Sequence, residues 1–282
     1  MMRRSSTATK IAKKTWTYLF LILSSILFSA PFLLTVSNSL KDLRESYAFP
    51  IVWIPEDPQW INYIKVFELL PFAHFIWNTV VVTVASLTGL LLSAAIVAYA
   101  FARLDWKGRD IWFIGLLSTL MLPHQVTMIP TFLMFKWLEW IDTYKPLVVP
   151  LWLGKNVFSI FLLRQFFKTI PVDLEDAALI DGCNKFQIFY RIMLPLAKPA
   201  LATIAVLSFI AVWNDFFDPL IYLQSYEKFT ISLGINMFKD TQSQFPHYLM
   251  AATVVSLIPV VIIFFAAQKY FVEGIVLTGQ KN

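Results

Sequence analysis

The sequence predicts an all-α integral membrane protein with six transmembrane helices. Three observations favour this fold class: 58% of the 282 residues are hydrophobic, only 15% are charged, and the mean hydropathy is +0.65. A soluble domain of this length carries about 25% charged residues, so water is not the main solvent of this chain. The apolar stretches are continuous and do not alternate with polar residues, which favours helices over the strands of a β-barrel.

Six apolar stretches are candidates for spans, because a bilayer core about 30 Å thick requires about 20 apolar residues per helix. Four of them contain no Asp, Glu, Lys or Arg: Thr15 to Leu40, Leu69 to Ala102, Ile111 to Phe135 and Thr241 to Gln268. The other two contain Lys155, or Asp215 and Asp218. After an N-terminal segment of residues 1–14, we expect one transmembrane domain over residues 15–282, with spans at about residues 15–36, 77–102, 111–135, 147–168, 199–223 and 247–270.

The basic residues between the spans predict the orientation. With the N-terminus in the cytoplasm, the inside segments hold 15 Lys and Arg residues and the outside segments hold 7. Because cytoplasmic loops are enriched in Lys and Arg, both termini are predicted to be cytoplasmic. The first apolar stretch is read either as an uncleaved signal anchor or as a signal peptide, and its length favours the anchor.

Several classes of function are disfavoured by composition and motifs. Cys183 is the single cysteine and the three histidines are scattered, so neither a disulfide nor a metal site is expected. The net charge is +5, but the basic residues lie mostly between the apolar stretches. This distribution indicates membrane topology and not nucleic-acid binding. The sequence lacks Gly-x4-Gly-Lys-Ser/Thr, His-Glu-x-x-His and Gly-x-Ser-x-Gly patterns. We therefore expect no enzymatic activity, no ATPase site and no cofactor in this chain.

The longest predicted cytoplasmic connection, residues 168–198, carries the strongest local signals. Asp173 is predicted to cap a short helix whose first turn holds Glu175 and Asp176, where the helix dipole favours acidic side chains. Gly182 follows as a C′ residue that takes positive φ without steric cost. Asn184 then caps a second helix, Lys185 to Met193. Periodicity alone is equally consistent with a plain interfacial helix pair that joins two spans.

At this point the sequence resembles a known family. Asp176-Ala177-Ala178, Gly182 and Ile192-x-Leu194-Pro195 match the pattern EAA-x3-G-x9-I-x-L-P, the EAA loop of permease subunits of ATP-binding-cassette (ABC) importers. Asp176 replaces the usual Glu, so which carboxylate makes the family's contact is open. Further segments are similar to the carbohydrate-importer branch of maltose-type permeases: Phe158 to Phe167, Trp213 to Asp215, Pro219 to Ile221, and Gln268 to Gly274.

The resemblance implies a function and a set of partners. Such a permease lies in the inner membrane of a bacterial or archaeal cell and forms half of a translocation path for a sugar or oligosaccharide. Its implied partners are membrane lipid, a second homologous permease, two cytoplasmic ATPase subunits that bind the ATP, and an external solute-binding protein, with no nucleic acid. The residues implied to couple it to the ATPases are Asp173, Leu174, Glu175, Asp176, Ala177, Ala178, Asp181, Gly182, Ile192, Leu194 and Pro195.

On this interpretation Glu175, Asp176 and Asp181 are surface charges for the ATPase, and Ala177 and Ala178 permit its close approach. Other solutes, such as glycerol phosphate or a polyamine, stay open as alternatives. An ion-coupled secondary transporter is a further alternative, although its inverted repeats and deep ion-binding carboxylates in several spans are not evident.

Polar residues inside the spans are the candidates for the translocation path. His124 and Gln125 lie between two prolines that predict a kink in the third span. Asn214 and Asp215 lie toward the outer half of the fifth span. For each pair the alternative is a packing or structural role. Lys155 either lies in an outer vestibule or precedes a helix that begins after it.

The C-terminal stretch, residues 273–282, contains two glycines. By resemblance it reaches into the ATPase dimer interface, and the alternative is a disordered end.

Overall fold

The computed structural model describes residues 7–241 and 245–279, and the side chains of residues 13–239 and 245–268. Its helices in chain order are α1 (Thr7–Ser39), α2 (Leu43–Ser46), α3 (Ile61–Leu69), α4 (Phe72–Arg103), α5 (Arg109–Ser118), α6 (His124–Trp137), α7 (Lys145–Trp152), α8 (Val157–Thr169), α9 (Asp173–Ile180), α10 (Lys185–Ile188), α11 (Leu194–Leu196), α12 (Lys198–Trp213), α13 (Phe217–Tyr222), α14 (Ile231–Thr241) and α15 (Pro246–Gly279). Short turns of 3₁₀-helix cover Thr119–Met121 and Tyr226–Lys228, and Phe189–Met193 forms a π-helical turn.

Four helical segments are long and apolar enough to cross a membrane: Lys13–Ser39, Phe72–Arg103, Lys145–Thr169 and Pro246–Gln268. Two further pairs qualify only if each bent pair is counted as one span, which gives up to six spans among the described residues. Arg109–Met121 and His124–Trp137 meet at 101°, and Lys185–Leu196 and Lys198–Trp213 meet at 73°. Because the break precedes His124 at Pro123, the kink expected in the third stretch is confirmed, as a full break.

The chain divides into two compact units, one of which contains α1 to α3 and residues 235–256. In this unit the buried amide of Asn62 donates hydrogen bonds to the backbone carbonyls of Ser39 and Lys41, each at 2.9 Å. The buried ammonium group of Lys41 donates to Asn38 Oδ1 at 2.6 Å. The turn after α1 is therefore held against α3 by side-chain hydrogen bonds.

The other unit covers residues 71–234 together with residues from 257 onward, and α4 is its central helix. Helices α7, α8 and α12 pack against α4. Gly89 permits the closest approach, since a Cβ atom there would lie 2.1 Å from the ring of Trp152. The core between these helices is built mainly from Leu90, Ala94, Ala95, Ala98, Ile160, Leu163, Phe167, Met193, Ala200 and Ile204.

Candidate functional site

Helix α9 begins as the acidic pattern predicts, but its cap differs. Val172 occupies the N-cap position with helical backbone angles, and no side chain bonds to the free N–H groups. Asp173 is exposed in the first turn instead, so its predicted role as the cap is wrong. Together with Asp176 it still places negative charge at the helix end where the dipole favours it.

The end of α9 has the predicted geometry. Gly182 has φ +81°, and its N–H donates to the carbonyl of Leu179 at 3.1 Å. The N–H of Cys183 donates to the carbonyl of Ala178 at 2.9 Å, and the two bonds together form a Schellman motif. The turn after α9 is thus fixed by backbone hydrogen bonds.

The second helix of the loop starts as predicted and then departs from the prediction. Asn184 and Gln187 form a reciprocal capping box, with bonds of 2.9 and 2.8 Å. The expected continuous helix over residues 185–193 is interrupted, because Phe189–Met193 forms a π-helical turn. In the family motif, Ile192 and Leu194 pack against the core, whereas Pro195 is exposed.

The two faces of α9 have different environments. Glu175 and Ala178, three residues apart, are buried against the rest of the unit. Two parts of the prediction are therefore wrong: Glu175 is not a surface charge, and Ala178 does not lie on the solvent-exposed face of α9. The exposed side chains from Asp173 to Asp181 are Asp173, Leu174, Asp176, Ala177, Leu179, Ile180 and Asp181.

Glu175 is buried because Arg103, the last residue of α4, lies against it. Arg103 Nε approaches Glu175 Oε1 to 3.1 Å as an ion pair, without the alignment of a hydrogen bond. The guanidinium also donates to the carbonyl of Phe167 at 2.6 Å and to the carbonyl of Ile170. Arg103 therefore connects α4, the end of α8 and α9. Its only local signal in the sequence is a basic residue at the end of a span.

A second cluster lies where three helical segments are interrupted. The segment over residues 109–121 ends before α6, the α7–α8 break precedes Val157, and α12 ends at Trp213. Helix α8 has 13 residues and α12 has 16, so at 1.5 Å per residue their breaks lie about 20 to 24 Å from the helix ends nearest α9. Where a transmembrane helix is interrupted this far from its end, backbone N–H and C=O groups lose their helical partners. Such breaks commonly line a cavity.

Asp218 joins these breaks through an ion pair with Lys155 and a close contact with His124. Its Oδ1 lies 3.3 Å from His124 Nε2 at the start of α6. Its Oδ2 lies 3.5 Å from Lys155 Nζ at the α7–α8 break. Gly154 has φ +81°, and Asn156 caps α8. Lys155 therefore precedes the helix, which is one of the two placements predicted for it.

A cavity of about 190 Å³ adjoins this cluster within the same unit. Its polar lining includes Lys155, Asn156, Asp215, Asp218 and Thr230. Apolar side chains of α4, α7 and α12 form the remaining wall. The arrangement offers hydrogen-bond acceptors, donors and a cation to a polar molecule.

The structure brings together only part of the predicted path. His124 pairs with Asp218, and Asp215 lines the cavity. Gln125 is exposed on the first turn of α6. Asn214 is exposed, and its amide donates to the carbonyl of Ile210 at 2.8 Å, so it closes the end of α12. The functional candidate that sequence reasoning underused is Asp218, whose two partners in space come from the start of α6 and from the α7–α8 break.

The chain belongs to the family of binding-protein-dependent transport system inner membrane components, whose model matches residues 91–276. It is 33% identical over 268 residues to the arabinooligosaccharides transport system permease protein AraQ of Bacillus subtilis (strain 168), covering 94% of each protein. It is 28% identical to the diacetylchitobiose uptake system permease protein NgcG of Streptomyces coelicolor, covering 88% of this chain and 83% of that protein.

Among solved structures, the chain is similar to a subunit of a bacterial ABC transporter involved in the import of the acidic polysaccharide alginate. The TM-score is 0.82 at 27% sequence identity, and the likeness covers 94% of this chain and 98% of that one. These findings confirm the predicted family and the all-α, multi-pass membrane fold.

Proposed function

We propose that this chain is the permease subunit of an ABC importer for a sugar or oligosaccharide. It forms half of the translocation path, and a second, homologous permease forms the other half. The support is family membership together with relatives whose names specify arabinooligosaccharide and diacetylchitobiose uptake. In this proposal both termini and α9 lie in the cytoplasm, and a solute-binding protein delivers the solute from outside.

The observation that carries the coupling role is the division of α9 into a fixed face and a free face. The fixed face is held by Glu175 and Ala178, and the free face presents Asp176 and Ile180 to solvent. A helix that is fixed on one side and exposed on the other is suited to dock into a cleft of another protein. Since Glu175 is paired with Arg103, Asp176 is the one of these two adjacent carboxylates that is available for the ATPase.

Arg103 connects the docked helix α9 to two transmembrane helices. It contacts α9 through Glu175 and α8 through the carbonyls of Phe167 and Ile170, and it is itself part of α4. Displacement of α9 by closure of the ATPase pair is therefore passed to two transmembrane helices. Moving a two-state path from mostly inward-open to mostly outward-open requires about 5.5 kcal/mol of differential binding, which ATP binding to the partner subunits supplies.

Copurification tests this proposal. The tagged chain, extracted in mild detergent, is expected to recover a second permease and two copies of an ATPase, and to bind a solute-binding protein. Recovery of the chain as a monomer that transports solute alone would contradict the proposal.

Two matched variants locate the ATPase contact. Ile180→Glu is expected to retain the second permease and to lose the ATPase, because it places a charge on the free apolar face of α9. Ile54 is equally exposed but lies in the connection before α3, so Ile54→Glu is expected to retain the ATPase. Equal ATPase recovery with both variants would exclude α9 as the docking helix.

A further inference from the structure

A loop without charges follows the C-terminal end of α1. Residues 47–55, called here the apolar loop, are all aromatic, aliphatic or proline residues, and they form no helix. The segments on either side are charged, with Arg44 and Glu45 before the loop and Glu56 and Asp57 after it. In a water-soluble protein a run of this composition normally packs into a core.

The rest of the described chain does not cover the apolar loop. Phe49 is 96% exposed and Ile54 is 82% exposed, and Ile51 and Trp53 are each more than half exposed. Single apolar side chains are common on protein surfaces, but a contiguous apolar patch marks an interaction surface. The apolar loop is therefore a surface that something outside this chain covers.

Hydrogen bonds fold the apolar loop back onto the end of α1. Ser37 Oγ donates to the carbonyl of Trp53 at 2.6 Å. Beyond the loop, the N–H of Gln59 donates to the carbonyl of Leu40 at 2.7 Å. Ser37 lies two residues before Ser39, the last residue of α1, so Trp53 is held about 3 Å closer to the bilayer than the helix end.

The length of α1 gives the depth of this contact. The apolar segment Lys13–Ser39 has 27 residues and is thus about 40 Å long, whereas the hydrocarbon core is about 30 Å thick. With this segment centred in the bilayer, Ser37 lies about 17 Å from the midplane and about 2 Å outside the hydrocarbon core. Tryptophan and tyrosine are enriched at this level of a membrane. Irregular backbone is tolerated there, because water and headgroups still reach its polar groups.

Lipid suits the apolar loop better than a soluble partner does. A protein that docks and leaves returns its contact surface to water, and such surfaces are about as polar as the rest of a protein. The apolar loop has no charge over nine positions. It is also continuous with α1, where none of the side chains of residues 13–33 is buried by the described structure. A helix that is apolar on all sides is surrounded by lipid, and the loop extends that surface.

We propose that the apolar loop lies in the membrane interface at the C-terminal end of α1. Phe49, Trp53 and Ile54 insert among the lipid headgroups and the upper acyl chains, and Glu56 and Asp57 stay in water. In the proposed orientation this is the outer leaflet. The contact fixes the depth of the end of α1. The inference depends on the membrane fold and not on the proposed transport function.

Two fluorescent labels on the same connection test the proposal. Cys183→Ser removes the single cysteine of the chain, and Ile54→Cys or Asp57→Cys then provides one site for a nitrobenzoxadiazole label. The chain, with the subunits that copurify, is reconstituted in vesicles of phosphatidylethanolamine and phosphatidylglycerol. Phosphatidylcholine that is spin-labelled near the top of its acyl chain serves as the lipid quencher, and iodide serves as the aqueous quencher. The spin-labelled lipid is expected to quench the label at position 54 at least about threefold more than the label at position 57, and iodide should show the reverse order.

Asp57 is the matched control for Ile54. Both side chains are exposed and they lie three residues apart, so without lipid at this surface the two labels would be quenched alike. Ile51→Cys, labelled in the same way, is expected to behave like Ile54→Cys, which shows that the result belongs to the loop and not to one site.

Two results would overturn the proposal. The first is equal quenching of the labels at positions 54 and 57 by the spin-labelled lipid. The second is free access of iodide to the label at position 54 that is lost only when a solute-binding protein is added. In that case a partner protein, and not lipid, covers the apolar loop.

Discussion

The two charged clusters of the larger unit differ in their access to solvent. At α9, the side chains of Arg103 and Glu175 are 8% and 5% exposed. At the helix breaks, the Asp218 side chain is 16% exposed, but its partners His124 and Lys155 are each 46% exposed. When a buried ion pair separates, a charge is left without contact to water, which is unfavourable. When an ion pair with exposed members separates, water replaces the lost partner, and the change in free energy is small. The first cluster is therefore suited to hold helices together, and the second to open.

The largest expected effect follows from breaking the buried cluster. Arg103→Ala leaves the buried Glu175 carboxylate with Lys185 alone, whose Nζ lies 4.0 Å from Oε2, and removes the donor to the carbonyls of Phe167 and Ile170. We expect a loss of about 3–5 kcal/mol in the free energy of unfolding. Thermal unfolding of the purified complex measures it, together with uptake per ATP hydrolysed.

Arg109 is the control for Arg103. It pairs with the carboxylates of Asp105 and Asp110, and both of these are largely exposed, so Arg109→Ala is expected to cost at most about 1 kcal/mol. Similar losses for the two alanine variants would refute the distinction between the clusters.

A smaller effect is expected at the turn that ends α9. Gly182 has φ +81° and open space where a Cβ would lie, so only backbone strain opposes a side chain. Gly182→Val is expected to cost about 1–2 kcal/mol and to reduce uptake more than ATP hydrolysis, because the turn orients the coupling helix. Gly182→Asn, which tolerates the left-handed conformation, should keep most uptake. Identical uptake by the two variants would show that the backbone angle is not the cause.

A substitution in the cluster at the helix breaks is expected to have a weak effect on stability. Asp218→Asn removes the ion pair with Lys155, and we expect a loss of stability of about 0.5–1 kcal/mol that shrinks in high salt. Thermal unfolding at low and high ionic strength measures the difference between variant and wild type. A salt-independent loss as large as that of Arg103→Ala would place this cluster in the same class as the buried one.

The smallest effect concerns Asp142, in the connection between α6 and α7. Burial opposes its ionisation, but hydrogen bonds from Ser225 and Lys228 outweigh this and hold the pKa of Asp142 well below its ordinary value. A depressed pKa in the folded state contributes stability that is complete above the unfolded pKa, near 3.8, and is lost as the pH falls further.

The measurement for Asp142 compares melting temperatures of wild type and Asp142→Asn between pH 6 and pH 3. The advantage of the wild type is expected to be constant above about pH 5 and to shrink below about pH 4. If the difference in melting temperature in favour of the wild type grew as the pH fell, the pKa of Asp142 would be raised in the folded state and not lowered.

Features that depend on neighbours in sequence were predictable. Gly182 at a left-handed C′ position and Asn184 as a cap follow from rules that operate within one helical turn, and both are present. Pro123 predicted an interruption because it lacks a backbone N–H. Asp173 was misassigned because several acidic residues compete for the same helix end, and the sequence does not rank them.

Features that depend on contacts between helices were not predictable in this way. Nothing local distinguishes Glu175 from Asp176, yet the rotation of α9 about its axis buries the first against Arg103 and leaves the second exposed. Likewise Asn214 and Asp218 are both polar residues near the end of one span, and packing turns the first back onto its own helix and the second toward α6 and α8.

The amino-acid sequence alone determined the solvent of this protein, its helical class, its family and the short helix with its glycine turn, because hydropathy and capping act over one span or one turn. Tertiary structure decided which carboxylate is buried and which of the interrupted helices meet. Those outcomes depend on how helices rotate and approach one another, and that geometry is set by the packing of the whole unit.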